Sequence, residues 1–209
     1  EADQENFPDK WKICQESNAG NVVGTIADAL VGADILIAAS KPGPGVILPE
    51  WVNKMNKDSI VFPSANPIPE IWPWEAKEAG AKIVGTGRSD FPNQINNSLG
   101  FPGIFRGVLD IRAKTITDEM AIAAAHAIAA VAEEKGLNEE YIVPTMDDWE
   151  VFPRVAVATA MKAQEQGIAL LSKSAEELYK EAAETIKKAR DMSKLLMSEG
   201  IIQDFPAEK

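Results

Sequence analysis

The sequence predicts an α/β fold: an open parallel sheet with helices on both faces, followed by a C-terminal helical section. Three observations predict it. Apolar runs at residues 33–39, 59–64 and 81–86 are short and end abruptly at glycine, proline or polar residues. Brief helical segments alternate with these runs across short connections, the pattern of parallel strands joined by crossover helices. Beyond residue 112 three helical segments follow in succession. The expected division is a polar N-terminal segment at 1–20, a sheet domain at 21–112, and a helical section at 113–209 packing on it.

Taken in order, residues 1–12 are polar and the chain does not open with methionine. Residues 21–31 read as a short helix, with Thr25 as N-cap and Asp28 completing a variant capping box. The run 33–39 is continuously apolar, so a strand buried on both faces is expected. Ser40-Lys41-Pro42-Gly43-Pro44-Gly45 ends it in a turn. Pro49 opens a helix to residue 55 in the favoured first-turn position. The second strand, 59–64, leaves through Asn66 and a pair of prolines that stiffen its exit. A brief helix at 75–79 closes at Gly80, and the third strand covers 81–86. Residues 96–112 read as helical with interruptions at Pro102 and Gly103. Residues 117–135 form the clearest helix, capped by Thr117, acidic in its first turn and stopped by Gly136. Its alanines permit a close neighbour. Helices at 151–166 and 174–199 complete the chain, the latter with a capping box of Ser174 and Glu177.

Charge and composition exclude several classes of function. The 209 residues carry a formal net charge of −11, which disfavours nucleic acid and anionic membrane as partners. The one cysteine, Cys14, excludes an intrachain disulfide, and a reducing compartment is the default. No apolar run approaches the ~18–20 residues of a membrane span. The expected location is cytoplasmic. The chain lacks a glycine-rich turn after an opening strand and looks like a piece of something longer.

Chemistry concentrates between residues 59 and 110. Side-chain amides follow two strands: Asn66 after one, then Asn93, Gln94, Asn96 and Asn97 after another. Each amide offers two donors and an acceptor without carrying charge. At the carboxyl edge of a parallel sheet, where ligands bind, such groups hold a carboxylate or a carboxamide. Ser40, Asn66 and the 93–97 cluster are expected to converge there. The competing structural reading is that Asn-Pro and Asn-Asn are turn formers and caps. Arg88 either forks onto a carboxylate or pairs with Asp90 in a structural turn. Gly43 and Gly45 would let backbone approach a cofactor. His126 reads as a helix-face histidine rather than a general base. Asp147 and Asp148, without a third carboxylate at suitable spacing, read as a solvated loop rather than a metal site. Ser40 has no nucleophile elbow around it.

The runs ADILIAASKPGPGVI, IVFPSANPIPEI, AKIVGTGRSDFPNQINNSLGFPGIFRG and TITDEMAIAAAHAIA resemble consecutive blocks of the malic enzymes, in their short bacterial and archaeal form. The resemblance covers about residues 24–167. It implies a partial Rossmann-like domain that binds NAD or NADP. The family oxidises and decarboxylates (S)-malate to pyruvate and CO2, with hydride passing from C2 to the nicotinamide. A divalent metal, Mg2+ or Mn2+, then polarises the ketone of the oxaloacetate intermediate. By resemblance, Ser40, Lys41, Asn66 and Asn96 would bind the cofactor, and Asn66, Asn96 and Asn97 the substrate.

The family's glycine-rich phosphate turn, its catalytic tyrosine and lysine and its metal-holding carboxylates match nothing in this chain. No catalytic residue and no metal ligand is therefore assigned here. The chain reads as the C-terminal half of the enzyme, inactive alone and completed by an N-terminal half, with a homodimer as the expected assembly. The discriminating position for NAD against NADP is absent. Two other readings stand beside this one: a non-catalytic nucleotide- or metabolite-binding module, and another α/β dehydrogenase such as one acting on amino acids.

Overall fold

The computed structural model describes residues 6–203 and divides the chain into two compact units, Glu1–Val84 and Gly85–Lys209.

The first unit opens with helix α1 (Pro8–Glu16), which lies in the stretch read from sequence as simply polar. Proline occupies its first turn, and it buries no residue. Helix α2 (Ile26–Ala29) is shorter than the expected 21–31, and its start is set by Thr25. The backbone N–H and hydroxyl of Thr25 both donate to Asp28 Oδ2, at 2.7 and 2.9 Å. Strands β1 (Ile35–Ala38), β2 (Ile60–Pro63) and β3 (Ile83–Val84) form a parallel sheet in the order β1-β2-β3, as the alternation predicts. Ala38 pairs with Pro63, so the carboxyl ends of β1 and β2 lie side by side. Helices α3 (Pro49–Val52) and α4 (Pro73–Glu78) each begin on proline. Val61, Ile71, Val52 and Ala76 form the buried core with Leu30, Ile47 and Val84.

The expectation that β1 is buried on both faces is corrected. Ile35 and Ile37 are 54% and 71% exposed, whereas Ala38 is buried. β1 is an edge strand, and no described layer covers the face that carries these two isoleucines. In this chain by itself the apolar run is thus covered on one face and open on the other.

The second unit is helical. A 3-10 turn at Asn97–Leu99 leads directly into α5 (Phe101–Ile111), followed by α6 (Asp118–Lys135), α7 (Val151–Glu165) and α8 (Ala175–Ser198). The interruptions expected at Pro102 and Gly103 do not occur. Pro102 lies in the first turn, where no N–H is required. Gly103 is at an interhelical contact, where a Cβ would stand 2.7 Å from Val155 side-chain atoms. The caps are as the sequence predicts. Thr117 Oγ1 accepts from Met120 N at 3.3 Å, and Ser174 and Glu177 form a capping box. The core joins Ile111, Met120, Ala160, Ala163 and Leu178, with a second cluster of Ala124, Val131, Val151 and Val155. Helix α8 buries Leu178 and Ala182, but Leu195 is exposed. No helix among the described residues is long and apolar enough to cross a membrane.

Candidate active site

In the first unit, the loops leaving β1 and β2 are joined by Glu70, a residue the sequence reading did not single out. Its side chain is fully buried. Oε1 accepts from Ser40 N at 2.8 Å and from Ser40 Oγ at 3.2 Å. Oε2 accepts from Ala65 N at 3.1 Å. The backbone of the same segment adds two links, with Gly43 N donating to Ile68 O and Ile47 N to Glu70 O, both at 3.2 Å. Gly43 and Gly45 have φ of 123° and 88°, which a side chain rarely tolerates. No neighbouring atom lies within 4 Å of a Cβ built at either, so backbone conformation rather than crowding requires glycine there.

These links place Ser40 and the Asn66 turn together, at adjacent carboxyl ends of parallel strands. The Asn66–Pro67 peptide is cis. Asn66 is exposed, and its carboxamide makes no hydrogen bond among the described residues. Lys41 is exposed as well. A free amide, a hydroxyl and an ammonium around one sheet edge suit an uncharged ring carboxamide or a carboxylate.

In the second unit, the segment after Thr86 folds back on itself. Ile95 N donates to Thr86 O at 2.8 Å, and Thr86 pairs with Gln94. Asn96 and Asn97 then part ways. Asn96 Oδ1 accepts from Ser98 N at 2.9 Å and caps the 3-10 turn, and its Nδ2 donates to Gly87 O at 2.6 Å. Asn97 is exposed with no side-chain hydrogen bond among the described residues. Asn93, at φ 56°, is a latch: its amide donates to Glu139 O at 2.8 Å and accepts from Ile142 N at 2.9 Å. Arg88 pairs with Asp90 through two bonds of 2.8 and 2.7 Å, which is the structural turn. That fork holds the Asp90 carboxyl below its ordinary value.

Asp148 is also committed to structure. It accepts from Lys135 Nζ at 2.6 Å, Tyr141 OH at 3.1 Å, and Thr145 N and Oγ1 at 2.7 and 3.1 Å. Burial pushes its carboxyl up, but these donors outweigh it and the net direction is down. Lys135 is correspondingly held protonated by Asp148 and Glu150. Among the described residues no group of three or more His, Cys, Asp or Glu side chains is arranged to hold a metal. His126 lines an open groove between α6 and α7 with Glu119, Met161 and Lys162.

Glu70 had a faint signal in the sequence: the one acidic residue in the exit of the second strand, between Pro69 and Ile71. The division of labour between Asn96 and Asn97 had none, because neighbouring identical residues read alike.

Comparison with known proteins adds to this geometry. A family model described as "Malic enzyme, NAD binding domain" matches residues 26–166. The bifunctional malic/malolactic enzyme of Bacillus subtilis is 47% identical over 169 residues, covering 81% of this chain and 41% of that protein. The NAD-dependent malic enzyme of Geobacillus stearothermophilus is 50% identical over 160 residues, covering 76% of this chain and 33% of that protein. Other similar proteins are named NADP-dependent malic enzymes. The crystal structure of Entamoeba histolytica malic enzyme superposes with a TM-score of 0.93 at 50% identity, covering 98% of this chain and 42% of that one. The chain thus spans less than half the length of these proteins.

Proposed function

This chain belongs to the malic enzyme family, and from that premise we propose that it supplies the cofactor-side wall of an NAD- or NADP-dependent enzyme that converts malate to pyruvate and CO2. The observation that carries the reading is the free Asn66 carboxamide at the carboxyl end of β2, beside the Ser40 loop that Glu70 ties to it. When bound, NAD or NADP would supply a hydride acceptor for the carbinol carbon of the substrate. Ser40 and Lys41 hold the nicotinamide end. Asn66 donates from its amide to a substrate carboxylate and orients the nicotinamide carboxamide. In the second unit, the exposed Asn97 is the residue that the family resemblance assigns to the substrate, and Asn96, whose amide bonds Gly87 and Ser98, holds the turn that carries it.

Among the described residues no three or more His, Cys, Asp or Glu side chains gather to hold a metal, and the Mg2+ or Mn2+ is assigned to the N-terminal half. The same holds for the acid and base. Tyr141 OH donates to Asp148 within a structural network and is not assigned as the acid. The complete protein works in the cytoplasm, as a homodimer, with an N-terminal half that brings these groups. The test compares the 209-residue chain with the full-length protein, using malate, Mn2+ and either cofactor. Full-length protein turns malate over, and the isolated chain does not. Turnover by the chain alone, or none by the full-length protein, overturns the proposal.

A further inference from the structure

We propose that Glu70 is a positioning residue, holding the Ser40–Lys41 loop and the Asn66 turn at a fixed separation so that both meet the same ligand pair. The inference rests on the reading of Ser40, Lys41 and Asn66 as site residues. Glu70 is 0% exposed, and burying a carboxyl group is costly unless it is well bonded. Apolar residues of similar size close such corners as well or better, so the carboxyl is poorly explained by stability. Its bonding pattern explains it. One oxygen serves the exit of β1 twice, and the other serves the exit of β2. All three partners are donors, and two are backbone N–H groups, so the loops are fixed at their main chains rather than through mobile side chains. The movement of either loop breaks a bond to a fully buried acceptor, which resists it. Residue 65 immediately precedes Asn66, and Ser40 immediately precedes Lys41. Lys41 and Asn66 are therefore each one residue from an anchor, and Ser40 is itself an anchor. The carboxyl oxygens are directed to these anchors, so Glu70 acts through its neighbours rather than on the ligand.

The test uses the full-length enzyme with Mn2+, malate and cofactor, and four proteins: parent, Glu70→Gln, Asn66→Ala and the double variant. Glu70→Gln keeps the size but turns one acceptor into an NH2 that faces a donor. At a temperature well below its Tm, Glu70→Gln is expected to lower kcat/KM for malate by between about ten-fold and a hundred-fold and to raise KM for the cofactor. Asn66→Ala is expected to cost much less in the Glu70→Gln background than in the parent, because the amide there is already misplaced. A Glu70→Gln enzyme with a lower Tm, parental kinetics and the full Asn66→Ala effect overturns the proposal, since a merely structural role does that. An Asn66→Ala enzyme with parental kinetics overturns the site reading itself, and the proposal with it. Should Glu70→Gln yield no folded protein, Glu70→Asp enters the same cycle and is read the same way, its carboxyl being too short to span both loops.

Discussion

Gly107 and Ala156 bring the backbones of α5 and α7 into contact: a Cβ on Gly107 would stand 2.3 Å from the Ala156 carbonyl oxygen. Helix propensity alone would favour alanine at residue 107 by about 1 kcal/mol. The clash is with backbone, which cannot rotate away, and overpacking of this kind costs about 1–3 kcal/mol or more. Gly107→Ala is therefore expected to lower stability despite the propensity gain. Thermal unfolding of the variant, followed by circular dichroism, checks the sign.

Asn66→Ala and Asn96→Ala are expected to differ in their effect on Tm. Asn66 has no internal partner, so its loss leaves Tm unchanged and lowers malate turnover by about a hundred-fold in the full-length enzyme. Asn96 caps a turn and bonds Gly87, so its loss costs about 1–2 kcal/mol of stability. Paired measurements of Tm and kcat separate the two roles.

Asp148 gives a pH-dependent prediction. Its carboxyl is held below the ordinary value of 3.8 in the folded chain. The unfolded chain thus binds a proton first as pH falls, and the stability from Asp148 is full above 3.8 and lost as pH drops through the folded value. Asp148→Asn is expected to cost about 1–2 kcal/mol at neutral pH, from weakened bonds to Lys135, Tyr141 and Thr145. The gap between variant and parent closes on acidification below 3.8, which denaturant titrations at several pH values would reveal.

What could be read from the sequence was local. The parallel strands were visible as apolar runs cut by glycine and proline, and the caps of α6 and α8 were visible as Thr117 and the Ser174–Glu177 pair. The pairing of Arg88 with Asp90 was one of two open options, and two residues of separation made it geometrically easy. What escaped depended on partners far along the chain. Pro102 and Gly103 read as breaks because Val155, which makes the glycine necessary, lies 52 residues away. The role of Glu70 is not visible locally because its partner Ser40 lies 30 residues upstream. The exposure of Ile35 and Ile37 depends on which layer packs on that face of the sheet, which no run of apolar letters encodes.

The bare border of β1 has a practical consequence. Its outer row of N–H and C=O groups is unpaired among the described residues, and Ile35 and Ile37 flank it. Such a border is a template for further strands. A preparation of this polypeptide by itself is set to stick to its own copies, against the repulsion of its acidic charge, and light scattering would register the growth. Ile37→Lys should then raise the concentration at which the preparation stays clear.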